Sequence, residues 1–304
     1  MAQPPQLDFD AFVARRKGER VANLDVGREY TYVLDKQTRA AFANARPVEM
    51  AVSSAVRVFK EVERGRLLGS AVKVGDRQFP RIQAIAKKAA GVLDIPTPTV
   101  YIVNSPVLNA ATYGTEDESF IMVHSALVDH YSDEELLTVI GHECGHIHNS
   151  HVVYLTTLYL LTQAGGLMLS RVLGPLTQIA LEPIIMALRA WSRRAEITCD
   201  RAGMLCSGDT VISQRALTKL VLGSHKLYDE FNLDAFLEQY EEGKDGIGRW
   251  MEAFATHPYL PKRVLAMRVF QESAVYRRSA RLGDGGLEMK EVDDRVKAIL
   301  KDNA

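Results

Sequence analysis

The stretch Gly141-His-Glu-Cys-Gly-His146 constrains this chain more than any other. The residues around it have the marks of one helix. Ser132 followed by Glu135 makes a capping box, and Asp133 and Glu134 suit the positive end of the helix dipole. Leu136, Leu137, Val139, Ile140 and Ile147 supply a packing surface. Positions i and i+4 of a helix lie one above the other on one face. His142 and His146 therefore reach toward one point, where two imidazoles can ligate a single tetrahedral ion. Glu143 sits between them, placed to take a proton. Gly141 and Gly145 weaken a helix, and a close approach by a second backbone would explain them.

On a helix, H-E-x-x-H is the signature of zinc metallopeptidases, with the glutamate as general base. Two histidines leave the ion short of a third protein ligand. The best candidate is Glu196, in Trp191-Ser-Arg-Arg-Ala-Glu-Ile-Thr-Cys-Asp200. A second helix there puts Glu196 and Asp200 at i and i+4. Asp200 suits the free nitrogen of a ligand histidine, whose tautomer it would fix. Zinc lowers the pKa of a bound water to about 7. Glu143 would accept that water's proton during attack on an amide and return one to the leaving amine. His257, in Thr256-His-Pro258, reads either as an oxyanion donor or as a turn capping the next helix. Arg263 reads as holding an acid or orienting that loop. His148 and His151 fall off the ligand face, as surface or supporting residues. Cys144 and Cys199 read as ordinary packing.

Acids and bases nearly cancel, at a net charge of −1. No basic field points to nucleic acid. The three cysteines, Cys144, Cys199 and Cys206, form no C-x-x-C pair, so a reducing compartment fits better than a disulfide framework. The N-terminus lacks the basic start and apolar run of a secretory signal, and a cytoplasmic location is expected. One segment complicates this. Val152 to Ser170 is 19 residues without a charge, and a second apolar stretch runs to Leu188, interrupted by Pro175, Glu182 and Pro183. A membrane helix needs about 20 apolar residues. The segment 152–188 reads either as two buried core helices or as a membrane contact.

The fold class expected is α+β and mainly helical, with a small sheet packed on the motif helix. Helical periodicity covers 9–16, 36–44, 47–68, 81–93, 210–230, 262–276 and 287–302. Strands are expected at 69–74, 99–103 and 120–123, with a loop around Gly114 before the last. Loops are expected at 243–248 and 281–286.

With these residues in hand, the chain resembles the gluzincin metallopeptidases of the HtpX and CAAX-prenyl-protease type. The likeness covers roughly 66–277. It rests on Gly69–Val74, Pro96-Thr-Pro-Thr-Val-Tyr101, Asn109-Ala110 with Gly114, Ser125-Ala-Leu127 and Ser132-Asp-Glu-Glu-Leu136. It continues through Gly141–His146, Arg194-Ala-Glu196 with Asp200, and Thr256-His-Pro258 with Arg263. The resemblance implies one zinc per chain held by His142, His146 and Glu196, with Glu143 as the catalytic acid and base. It implies Asp200 as a supporting acid and places His257 where the family has a His-Pro motif. It puts Asn109 near an edge strand to which an extended peptide adds. The aromatic that often follows Asn-Ala in the family is missing here, and of the clear transmembrane helices of its membrane-bound members the chain has only the ambiguous 152–188 stretch and no earlier span. The chain looks more like the soluble, single-domain type.

The organisation expected is a helical extension over 1–65, a zinc peptidase domain over 66–280 and a tail with a short helix over 281–304. The function expected is endoproteolysis of protein or peptide substrates, with no nucleic acid and no specified oligomeric state. The alternatives are a catalytically silent or chaperone-like peptide-binding module and a membrane-associated adaptor. The intact His142, Glu143, His146 and Glu196 set argues against lost chemistry, because folding alone does not call for Glu143.

Overall fold

The computed structural model describes residues 28–59, 64–115, 118–162, 176–223, 225–243 and 260–300. The helix expected at 9–16, most of the loop expected at 243–248, and His257 lie outside the described residues.

The chain begins with helices α1 (Val33–Ala43), α2 (Arg46–Val58) and α3 (Arg64–Leu68). Pro47 stands in the first turn of α2, where its missing N–H costs nothing. A single helix was expected over 47–68; residues 60–63, between α2 and α3, are not described. Strand β1 (Val72–Lys73) is shorter than the expected 69–74, because Ala71 N–H still closes a turn onto Leu68. Helix α4 (Pro80–Val92) follows, then β2 (Thr99–Val103), β3 (Ala110–Gly114) and β4 (Ser119–His124).

Residues 110–114 are thus a strand and not part of a loop. Ala-Ala-Thr-Tyr-Gly has little β-pattern of its own, and its pairing with β4 makes the strand. The sheet order is β1-β2-β4-β3. β2 and β4 run parallel from Thr99↔Phe120 to Val103↔His124, and β3 is an antiparallel edge. β4 is buried on both faces. Ile121 and Val123 join the main core, while Phe120 and Met122 pack with Phe59 and Leu160.

After α5 (Ser125–His130) comes the motif helix α6 (Asp133–His148), with its capping box formed in both directions. Buried Glu135 also pairs with Arg215 at 2.5 Å and Lys219 at 2.9 Å, on α9 (Thr210–Leu222). Helix α7 (Val152–Thr162) precedes α8 (Leu176–Ser207). In the described parts of the apolar segment, Val152, Val153, Leu158, Leu160, Leu161 and Leu188 are buried, while Thr162, Glu182 and Pro183 are exposed. Leu158, Leu161, Leu188 and Trp191 pack with Phe42 and Val48. Among the described residues, no helix is long and apolar enough to cross a membrane. Pro183 interrupts the sequence pattern, yet α8 runs through it. Packing of Leu181, Ile184, Ile185 and Leu188 offsets the lost hydrogen bond. The remaining helices are α10 (His225–Tyr228), α11 (Leu233–Gly243), α12 (Leu260–Gln271), α13 (Ala274–Ser279) and α14 (Met289–Leu300).

The glycines of the motif helix find their reason in α8. A Cβ on Gly141 would lie 2.6 Å from Cys206 Cβ, and one on Gly145 would lie 2.7 Å from Ala202 Cβ. From the other side, a Cβ on Gly203 would lie 2.8 Å from the Thr138 carbonyl. The two helices therefore meet along a seam of small residues. Gly145→Ala is expected to lower the urea midpoint. Overpacking costs about 1–3 kcal/mol, more than the roughly 1 kcal/mol alanine regains as a helix former. An unchanged or raised midpoint would show that the seam has slack.

Candidate metal centre

The seam sets α8 against α6 so that Glu196 and Asp200 face the two motif histidines. Glu196 Oε2 lies 3.5 Å from His142 Nε2, and its Oε1 lies 3.5 Å from His146 Nε2. On a tetrahedral ion with bonds of about 2.1 Å, two ligand atoms stand about 3.4 Å apart. Each of the two distances, to a different oxygen of Glu196, is close to that spacing. Each imidazole is gripped from its other nitrogen. His142 Nδ1 lies 3.1 Å from Asp200 Oδ1, and His146 Nδ1 lies 3.1 Å from His151 Nδ1.

Ligand-capable atoms of His142, His146 and Cys199 also lie within 4.8 Å of one another. Burial, with Glu196 and Asp35 beside it, pushes the Cys199 pKa well above the usual thiol value in the absence of a metal. Its Sγ also leans toward His151 Nδ1, at 3.6 Å. Glu196 brings the negative charge a cation needs. The local field agrees: burial lowers the His146 pKa, but Glu196, Glu143 and Asp35 together raise it above the ordinary histidine value. The pocket favours positive charge.

Arg263, from α12, closes the rear of the site. Its Nε and one Nη bond Asp200 Oδ2 and Oδ1 at 2.8 and 2.6 Å, and its other Nη lies 3.1 Å from Glu196 Oε2. Burial raises the Asp200 pKa, but Arg263 and His142 outweigh it and hold the carboxyl below its ordinary value. Of the two expectations for Arg263, the described contacts match the holding of an acid.

Glu143 is buried beside the histidines. Thr112 Oγ1, on the edge strand β3, donates to Glu143 Oε2 at 2.6 Å. This contact escapes sequence reasoning, because residue 112 sits in a segment read as loop. Glu143, His142 and Glu196 line a cleft with Asn109, whose backbone carbonyl accepts from His124 N–H at 3.0 Å. Val139, Leu217, Leu220 and Met267 form the cleft's apolar wall.

Behind His146 the site continues into the core. His151 is fully buried, with Nε2 3.0 Å from Asp35 Oδ2. Burial pushes its pKa down to about 4 despite Asp35, so the ring is neutral. Asp35 also accepts from Trp191 Nε1 at 2.9 Å and Thr198 Oγ1 at 2.7 Å, and pairs with Arg39 at 3.4 Å. Burial opposes its charge, but His151, Arg39 and Thr198 hold the carboxyl well below the usual range. From the sequence His151 reads as a surface or supporting residue, and nothing there singles out Asp35.

The sequence pattern of Peptidase family M48 matches residues 76–270. The Plastoglobule-localized metallopeptidase 48, chloroplastic, of Arabidopsis thaliana is 35% identical over 173 residues, covering 57% of this chain and 49% of that protein. The chain thus spans about half the length of that relative. Protease HtpX homolog 2 of Methanosarcina mazei is 24% identical over 227 residues, covering 66% of this chain and 75% of that protein. Protease HtpX homolog 1 of Streptomyces coelicolor is 27% identical over 214 residues, with 62% and 69% covered. On this match, and with the H-E-x-x-H helix inside it, the chain belongs to peptidase family M48.

Proposed function

We propose that this chain is a zinc-dependent endopeptidase in which His142, His146 and Glu196 hold the ion and Glu143 moves the proton. The observation that carries the reading is the convergence of both imidazole Nε2 atoms on the two oxygens of Glu196, each at 3.5 Å, beside a buried Glu143. When bound, zinc supplies a Lewis acid that brings a water's pKa to about 7 and polarises the scissile carbonyl.

The chain's own residues do the rest. The Thr112 hydroxyl fixes one oxygen of Glu143 and leaves the other to take a proton from the attacking water. As the C–N bond breaks, Glu143 delivers that proton to the amine and regains its charge. Asp200 keeps the proton of His142 on Nδ1, so Nε2 stays a lone pair. Among the described strands, β3 has β4 as its one neighbour. Its other edge offers main-chain groups to an extended peptide beginning near Asn109. The apolar wall of Val139, Leu217, Leu220 and Met267 suits an uncharged substrate side chain. His257 remains the proposed oxyanion donor.

The test combines metal analysis with a casein assay. One zinc per chain is expected, with cleavage stopped by a chelator and restored by zinc. Glu196→Ala is expected to lose most zinc affinity. A full zinc complement in that variant would move the third ligand elsewhere, and Cys199→Ser would then be the variant to lose it.

A further inference from the structure

We infer that Asp35 is a positioning residue for the metal centre, setting the tautomer of His146 through His151. The inference rests on the zinc-site reading above. Asp35 lies on α1, outside the 76–270 span that matches the family.

The argument is a proton count along one buried chain. Asp35 is a carboxylate and can only accept. It accepts from Trp191, Thr198 and His151, all fully buried, with Arg39 3% exposed beside it. His151 must therefore carry its proton on Nε2. Its Nδ1 is left as a lone pair, facing His146 Nδ1 at 3.1 Å. Two lone pairs at that distance would repel, so His146 carries its proton on Nδ1 and donates it. His146 Nε2 is then the nitrogen left to face Glu196 and to be offered to an ion between them, giving up to zinc any proton it carries in the metal-free chain. The rings pack edge to face, His146 on His151 at 5.3 Å and His151 on Trp191 at 5.4 Å, which holds the chain in line. The usual support of a metal-binding imidazole is one carboxylate or carbonyl. His142 has that form with Asp200. His146 has it one imidazole removed.

Asp35→Asn reverses the count. The Trp191 N–H cannot turn into an acceptor, so the new amide oxygen faces Trp191 and its NH2 faces His151. His151 then shifts its proton to Nδ1, and His146 Nε2 becomes the protonated nitrogen that zinc must displace.

The experiment measures zinc affinity by chelator competition in the full chain. Loss of such a supporting contact typically costs about 10- to 100-fold in metal affinity. That loss is expected for Asp35→Asn and for His151→Phe, which keeps a ring between His146 and Trp191. Trp191→Phe is the control for packing, since it removes a bond to Asp35 outside the proton chain. It is expected to lower the melting temperature of the metal-free protein and leave zinc affinity within about 3-fold. Nitrogen-15 NMR of the metal-free chain should show His146 Nδ1 protonated in wild type and unprotonated in Asp35→Asn. If Asp35→Asn does not fold, His151→Phe carries the affinity test. Wild-type affinity in both variants, or an equal loss in Trp191→Phe, would overturn the inference. A wild-type chain that binds no zinc would instead overturn the reading on which it rests.

Discussion

Glu143→Gln is expected to bind zinc like wild type and to lose peptidase activity by roughly 10²- to 10⁴-fold, the usual worth of a positioned general acid and base. The substitution keeps the side chain's shape, and its amide oxygen can still accept from Thr112 Oγ1. It does not alter the facing set of His142, His146 and Glu196. What it removes is the ability to take a proton and give it back. Zinc content and casein cleavage, measured side by side on the two proteins, separate the roles. Equal cleavage would take Glu143 out of the reaction. Loss of zinc along with activity would mean that Glu143 supports the metal.

Arg263→Leu is expected to destabilise the zinc-free protein by about 3–5 kcal/mol, as breaking a buried ion pair from one side does. Arg263 is 8% exposed and lies between Asp200 and Glu196, both also buried. Without it, two carboxylates stand within reach of each other with no fixed cation. Urea denaturation after metal removal reads the loss directly. Added zinc should recover part of it, because binding to the folded state alone raises stability. Arg263→Lys should restore little. A single ammonium cannot reproduce the fork that reaches both oxygens of Asp200 and one of Glu196. An unchanged midpoint in Arg263→Leu would show that the two acids are neutral without the arginine.

What the sequence reveals here is what local geometry determines. The capping box of α6, the i and i+4 histidines and the Glu196–Asp200 pair each lie within one helix, so spacing alone places them on a face. The two glycines announce a close neighbour before the neighbour is known. The rest depends on tertiary contact. The segment 110–114 has no strong alternation, and β4 makes it a strand by pairing. Thr112 therefore stays hidden until the sheet exists. Asp35 and His151 are 116 residues apart and meet only in the folded chain, where α1 also packs Asp35 against Trp191 and Thr198 of α8. A short acidic side chain on an N-terminal helix carries no local sign that it will be buried. Pro183 shows the opposite failure, because a strong local breaker yields to the packing of its neighbours.

The seam between α6 and α8 has a consequence for how this chain tolerates change. Gly141, Gly145 and Gly203 are no part of the proposed ligand set, yet the two halves of that set are held on opposite sides of the space they leave empty. Any side chain there pushes Glu196 and Asp200 away from His142 and His146 together. A saturation screen for lost peptidase activity should therefore return these glycines among the ligands. Read without the structure, such hits would pass for a binding motif, when they are positions specified by what they lack.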